Sequence, residues 1–185
     1  MVESVGFDFK GLAPPLRVSA VLFCGQNCVA RLLRDNGFME ITIRDAVAGD
    51  VPALRELFLR SRRETFVWQP SDAFQLSDFD TQTEGERLLV AEDDSGQLAG
   101  FISVWEPDHF IHHLYVCGRR HRRGIGRALL RALPGWPATR YRLKCLRANA
   151  PALAFYRASC FTEIGVGAAE DGEYLLLESS GDDGE

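Results

Sequence analysis

Apolar and polar positions alternate with period two over Glu40-Ile41-Thr42-Ile43-Arg44, which predicts a strand. The period then changes: Val51, Leu54, Leu57 and Phe58 make one apolar stripe at helical spacing, and Asp50 stands where a helix cap is expected. Phe66-Val67-Trp68-Gln69-Pro70 interrupts that stripe, and a second helical stretch is expected from Ser71 to Phe79. Arg87 to Glu92 and Gln97 to Trp105 read as two strands joined by the tight turn Asp93-Asp94-Ser95-Gly96. Another strand follows from about His109 to Cys117. Ile125, Leu129, Leu130 and Leu133 then recur at helical spacing until Pro134-Gly135 stops the helix. Tyr141 to Leu146 predicts a strand, Asn149 to about Ser159 a short helix, and Phe161 to Val166 with Tyr174 to Glu178 the last two strands.

This order describes an α/β fold, a mixed sheet with helices on its faces. The domain is expected to run from residue 39 to 178. Residues 1–38 read as an appendage, with Pro14-Pro15, scattered glycines, an apolar patch and a turn at Asp35-Asn36-Gly37. Residues 179–185 are small, polar and acidic, and a mobile tail is expected there.

A chain of 185 residues carries one sizeable core. Its net charge of -5 argues against nonspecific binding to nucleic acid, which needs positive charge spread over a whole face. The run Val18 to Cys24 is too short to span a bilayer. Five cysteines lack the paired spacings and nearby histidines of a zinc site, so no metal is expected, and reduced thiols in a cytoplasm fit best.

The stretch richest in chemistry runs from Leu114-Tyr115-Val116 through Cys117-Gly118-Arg119-Arg120-His121-Arg122-Arg123 to Gly124-Ile125-Gly126-Arg127. A strand enters a loop, and glycines open a helix. The first amides of such a helix lack intrahelical partners, its dipole favours an anion, and glycines let a phosphate approach. Neither a P-loop nor a six-residue dinucleotide fingerprint is present.

This stretch resembles the acyl-CoA signature of the GNAT (Gcn5-related N-acetyltransferase) superfamily, in which a strand ending Leu-Tyr-Val precedes Arg/Gln-x-x-Gly-x-Gly/Ala. Asn149, Ala152, Phe155 and Tyr156 match the later family pattern Asn-x-x-Ala-x-x-Phe-Tyr, and Phe161 follows. Two positions depart from it: His121 stands for the usual Arg or Gln, and Cys160 for a glycine. The resemblance implies a largely antiparallel sheet splayed between its fourth and fifth strands, here Ile111 to Cys117 and Tyr141 to Leu146. It implies acetyl-CoA as cosubstrate, with pantetheine held at Leu114, Val116 and Asn149, and pyrophosphate by the loop His121, Arg122, Arg123, Gly124, Ile125, Gly126 and Arg127. Tyr156 would protonate the departing thiolate.

The implied reaction is transfer of an acetyl group to a primary amine of a small molecule, amino acid or peptide, by direct attack and without a covalent enzyme intermediate. The alternative is a noncatalytic acyl-CoA-binding regulatory module. Neither reading involves nucleic acid or a membrane, and a homodimer is compatible with both. For the base, His109, His112 and His113 lie on the strand beside the cleft, and alternation puts His112 on the face of Leu114 and Val116, with His113 on that of Ile111 and Tyr115. His112 is the favoured base; a water chain or Glu106 would serve equally. Phe66, Trp68 and Phe74 are expected to form the acceptor pocket.

Overall fold

In the computed structural model, the backbone is described for residues 18–24, 27–34 and 37–181, and side chains for 40–181. The turn expected at Asp35-Asn36 and the last four residues of the tail lie outside the described residues.

Among the described residues, nine strands form one sheet: β1 (Val18–Cys24), β2 (Asn27–Arg34), β3 (Gly37–Asp45), β4 (Arg87–Asp93), β5 (Leu98–Trp105), β6 (Phe110–Val116), β7 (Arg142–Leu146), β8 (Phe161–Ala169) and β9 (Gly172–Ser179). Their spatial order is β1-β2-β3-β4-β5-β6-β7-β9-β8. Every neighbouring pair is antiparallel except β6 with β7. The expected α/β fold is therefore present, and its strand boundaries from β4 onward fall close to the periodicity. The pattern placed no strand ahead of Met39, yet β1 and β2 extend the sheet as a hairpin on the β3 edge. Their apolar residues run together instead of alternating, which hides a strand from a period-two reading.

Among the described residues, four α-helices cover the faces: α1 (Val51–Thr65), α2 (Asp78–Gln82), α3 (Ile125–Arg131) and α4 (Ala150–Arg157). One core layer joins Val90, Phe101 and Tyr115 of the sheet to Leu54, Leu57, Phe58 and Phe79 of α1 and α2. The opposite layer joins Leu89, Ile102, Leu114 and Val116 to Ile125, Leu129 and Leu130 of α3 and to Leu153 and Tyr156 of α4. Alternation along β4, β5 and β6 feeds both layers at once, which is why these strands are apolar almost throughout.

Two expected local features differ. Asp50 does not cap α1 with its side chain, because a 3-10 turn over Ala48–Asp50 already holds it at φ -80° and ψ -21°. Its carboxylate accepts the Val47 N–H at 2.8 Å and two bonds from the Arg44 guanidinium at 2.7 and 2.9 Å. That arginine holds Asp50 below its ordinary pKa. The helix expected from Ser71 to Phe79 is a 3-10 turn at Ser71–Ala73 followed by α2 alone. Between them Phe74 is extended, at φ -103° and ψ 126°, and buries its ring.

Cys160, which stands in place of the glycine of the family pattern that the sequence resembles, sits at φ 63°. A side chain in the left-handed region crowds the adjacent carbonyl at roughly 1–2 kcal/mol, a strain glycine lacks. Cys160→Gly is therefore expected to raise stability by about 1 kcal/mol in urea titrations. A loss of stability in that variant would contradict the strain argument, since the exposed thiol contributes no packing.

Candidate active site

The β6–β7 pair is the one parallel junction in the sheet, and it is short. Phe110 pairs with Arg142 and Ile111 with Leu143, and the register then stops. The sheet opens beyond those residues, between the segment starting at His112 on β6 and that starting at Lys144 on β7. Two helices on one face, α3 and α4, pack behind this split and bring Leu114, Val116, Ile125 and Tyr156 into a single cluster.

On its other side β6 carries a bulge. Ser103 faces His113 and Val104 faces Ile111, so His112 is an extra residue without a partner in β5. This overturns the simple alternation: Ile111 packs on the side of Leu114 and Val116, whereas the His113 ring meets Phe58 and Tyr115 on the α1 side. A one-residue insertion flips every residue beyond it to the opposite face. His112 pairs through Nδ1 with the Glu86 carboxylate, just ahead of β4. Burial holds His112 below its usual pKa, and the Lys144 ammonium acts in the same direction, which favours the neutral ring.

The other proton-acceptor candidates are placed differently. His113 is 2% exposed, and burial pushes its pKa down to about 3. Its Nε2 lies 3.4 Å from the Gln82 carbonyl, which makes it a structural ring. His109 is exposed, with φ 50° at the end of a turn. Glu106 forms an exposed ion pair with Arg87 at 3.1 Å.

Tyr156 projects from α4 into the core and is 0% exposed. The rings of Phe155 and Phe161 lie 5.3 Å away on either side. Its buried hydroxyl has no hydrogen-bond partner among the described residues, and burial pushes its pKa well above the ordinary tyrosine value, so the proton stays on oxygen. Asn149 starts the same helix: its Oδ1 accepts the Ala152 N–H at 3.2 Å as an N-cap.

Upstream, the loop between β6 and α3 folds back on the strand. The His121 Nε2–H donates to the Val116 carbonyl at 2.7 Å, which ties the loop to the end of β6. Arg122 is exposed at φ 58°, and Gly124 at φ 78° opens α3. The helical ladder begins with Ala128 N–H on the Gly124 carbonyl at 2.9 Å, so the amides of Ile125, Gly126 and Arg127 lie ahead of it. Arg123 is half-buried, and the Arg127 side chain donates to the Ala158 carbonyl at 3.2 Å, linking α3 to α4. Arg120 reaches across to Asp93 and anchors the loop to the β4–β5 hairpin.

The aromatic trio divides. Phe66 and Phe74 are 3% and 1% exposed and pack with Leu146, whereas Trp68 is 48% exposed at the tip of the α1–α2 loop. Gln69 Nε2 on that loop donates to Asp171 Oδ1 between β8 and β9 at 2.6 Å, so the loop closes over toward the far hairpin. Periodicity did not single out Glu86 or Lys144. Each is one polar residue in an ordinary setting, and only the fold brings them near His112.

An acyl-CoA fits these residues on two counts: amides ahead of a helix opened by a left-handed glycine suit a phosphate, and an orphaned buried hydroxyl suits an acceptor that the protein itself does not supply. The sequence model described as Acetyltransferase (GNAT) family matches residues 51–160. The peptidyl-lysine N-acetyltransferase YiaC of Escherichia coli (strain K12) is 32% identical over 125 residues, covering 64% of this chain and 82% of that protein. Among solved structures, a ribosomal-protein-alanine N-acetyltransferase from Escherichia coli aligns with a TM-score of 0.59 at 20% identity, over 78% of this chain and 99% of that one. A variant of the spermidine N-acetyltransferase SpeG from Vibrio cholerae aligns with a TM-score of 0.52 at 18% identity, over 75% and 92%. With a family match across more than half its length, laid over the split sheet and the glycine-opened helix, the chain belongs to the GNAT acetyltransferase family.

Proposed function

We propose that this chain transfers an acetyl group from acetyl-CoA to a primary amine of a small molecule, amino acid or peptide, by direct attack in a ternary complex. The observation that carries this reading is the Tyr156 hydroxyl, protonated, fully buried and without an acceptor, in the cluster behind the sheet split. Leaving a buried donor unsatisfied costs roughly 1–3 kcal/mol, a penalty that a bound sulfur or oxygen relieves.

When bound, acetyl-CoA supplies an activated thioester carbonyl and a thiolate leaving group. The amides of Ile125, Gly126 and Arg127 bind its pyrophosphate, with Arg122 and Arg123 as accompanying charges and His121 keeping the loop on β6. Backbone groups of Leu114 and Val116 along the open edge of β6, with Asn149 at the head of α4, line the pantetheine path. His112 takes a proton from the attacking amine, being neutral and half-buried at the start of the split. Tyr156 donates to the departing sulfur. Trp68 borders the acceptor entrance, while Phe66 and Phe74 back it. Related proteins named for peptidyl lysine and spermidine support a primary amine as acceptor.

No helix among the described residues is long and apolar enough to cross a membrane. The three described cysteines, Cys117, Cys145 and Cys160, are free, which supports a reducing cytoplasm as the site of action. Thiol release from acetyl-CoA, measured over a panel of amino acids, polyamines and lysine-bearing peptides, tests the reading. Turnover with at least one amine is the expected result. Tight binding of CoA by calorimetry, with no transfer to any acceptor, would replace it with the noncatalytic binding module.

A further inference from the structure

The Glu86 side chain is only 3% exposed, an unusual place for a carboxylate that, among the described residues, pairs with no arginine or lysine. One oxygen, Oε1, meets Nδ1 of His112; the other, Oε2, is buried with no partner. A carboxylate held in this way is a strong acceptor, and the hydrogen it accepts must come from the ring. Carboxylate and imidazole then settle into one arrangement, with the proton on Nδ1 and the lone pair on Nε2.

That choice of tautomer matters because of where His112 stands. It is the extra residue of the β6 bulge and lies immediately beyond the last β6–β7 pair, so its ring is placed by neither neighbouring strand. The Phe110 ring, 5.0 Å away, packs against it, but an aromatic face has no preference between the two nitrogens. Glu86 is the hydrogen-bonding partner that distinguishes them.

We propose that Glu86 is a positioning residue, its buried carboxylate fixing His112 as the Nδ1–H tautomer so that Nε2 is the proton acceptor at the sheet split. The inference rests on the reading of His112 as base in the acetyl transfer. In that step an N–H bond of the acceptor ammonium breaks, an Nε2–H bond forms, and the neutral amine is left with the electron pair that attacks. Glu86 takes no proton; it stabilises the imidazolium until solvent removes the added hydrogen.

The test reads the tautomer directly. In long-range ¹H–¹⁵N correlation spectra of protein labelled at histidine, with no substrate present, His112 is expected to show a protonated Nδ1 and a bare Nε2. Glu86→Leu, which keeps the volume apolar, is expected to lose that preference and to lower kcat by about 10- to 100-fold, with the KM for acetyl-CoA within about twofold of wild type. Glu86→Gln retains an acceptor oxygen without the charge. It is expected to keep the tautomer and to recover kcat to within about tenfold, which also covers the case of a Leu variant that does not fold. A bare Nδ1 in the wild type, or unchanged tautomer and kcat in Glu86→Leu, would overturn the proposal. Because the spectra need no turnover, they stand apart from the amine panel: a protein that acetylates nothing still reports which nitrogen Glu86 protonates.

Discussion

Replacing Tyr156 by phenylalanine is expected to lower kcat for amine acetylation by about 100-fold or more, while the protein becomes no less stable. The two signs follow from one geometry. In the free protein the hydroxyl is fully buried and unpartnered, so its removal deletes an unsatisfied donor and leaves the ring contacts with Phe155 and Phe161 intact. Stability should therefore hold or rise, by up to about 1 kcal/mol. In the proposed reaction the same hydroxyl would be the donor to the leaving sulfur, where charge develops in surroundings that exclude water and where a hydrogen bond has its greatest leverage. Burial raises the tyrosine pKa, which keeps the donor protonated throughout the neutral range. Initial rates of thiol release and urea titrations on the same preparations check both signs. Undiminished turnover would remove Tyr156 from the mechanism, and a clear drop in stability would mean that the hydroxyl has a structural partner after all.

The central sheet was legible because its strands serve two core layers. Leu88-Leu89-Val90-Ala91 and Phe101-Ile102 must be apolar on both faces, and the Asp93 turn between them is written in residues that bond their own backbone. Asp93 Oδ1 accepts the Ser95 and Gln97 amides at 2.9 and 3.0 Å, which is the local chemistry that such a sequence announces. The glycine-opened helix and the Asn149 cap were readable for the same reason, since each is decided within a few residues.

What stayed hidden depends on partners distant in the chain. The bulge at His112 is a property of the β5–β6 register, and no composition marks it; a strict period of two therefore assigned Ile111 to the wrong face. Glu86 looked like any polar residue before a strand until the fold buried it beside a histidine 26 positions away. Asp50 had the sequence context of a cap, but Arg44 and the preceding turn claimed its carboxylate. Phe66 and Phe74 had the composition of a binding pocket, and burial shows them packed under the loop whose tip exposes Trp68.

That loop is held by Arg62, and its removal should be the most damaging single change to the fold outside the two core layers. The side chain is 5% exposed, and its guanidinium donates to Asp78 Oδ2 at 2.9 Å and lies 4.4 and 5.1 Å from the ring centroids of Phe74 and Phe58. One side chain thus joins α1, the extended Phe74 segment and α2, while its neighbour Arg63 donates to the Ser71 and Phe74 carbonyls at 2.9 and 3.2 Å. Arg62→Ala removes the charge, the ring contacts and the stem that fills the space between them, so a loss of about 2–4 kcal/mol is expected in urea titrations. The lower part of the range for broken buried pairs applies because Asp78 is 24% exposed and also accepts the Gln75 N–H at 2.9 Å, so water and backbone recover part of the interaction. Arg62→Met separates the terms: it keeps an apolar stem between the two rings and should recover about half of the loss. Both variants loosen the segment that is proposed to back the acceptor entrance, so the KM for the amine should rise several-fold. A change below about 0.5 kcal/mol in Arg62→Ala would mean that Phe58, Phe74 and α2 are held by their apolar contacts alone.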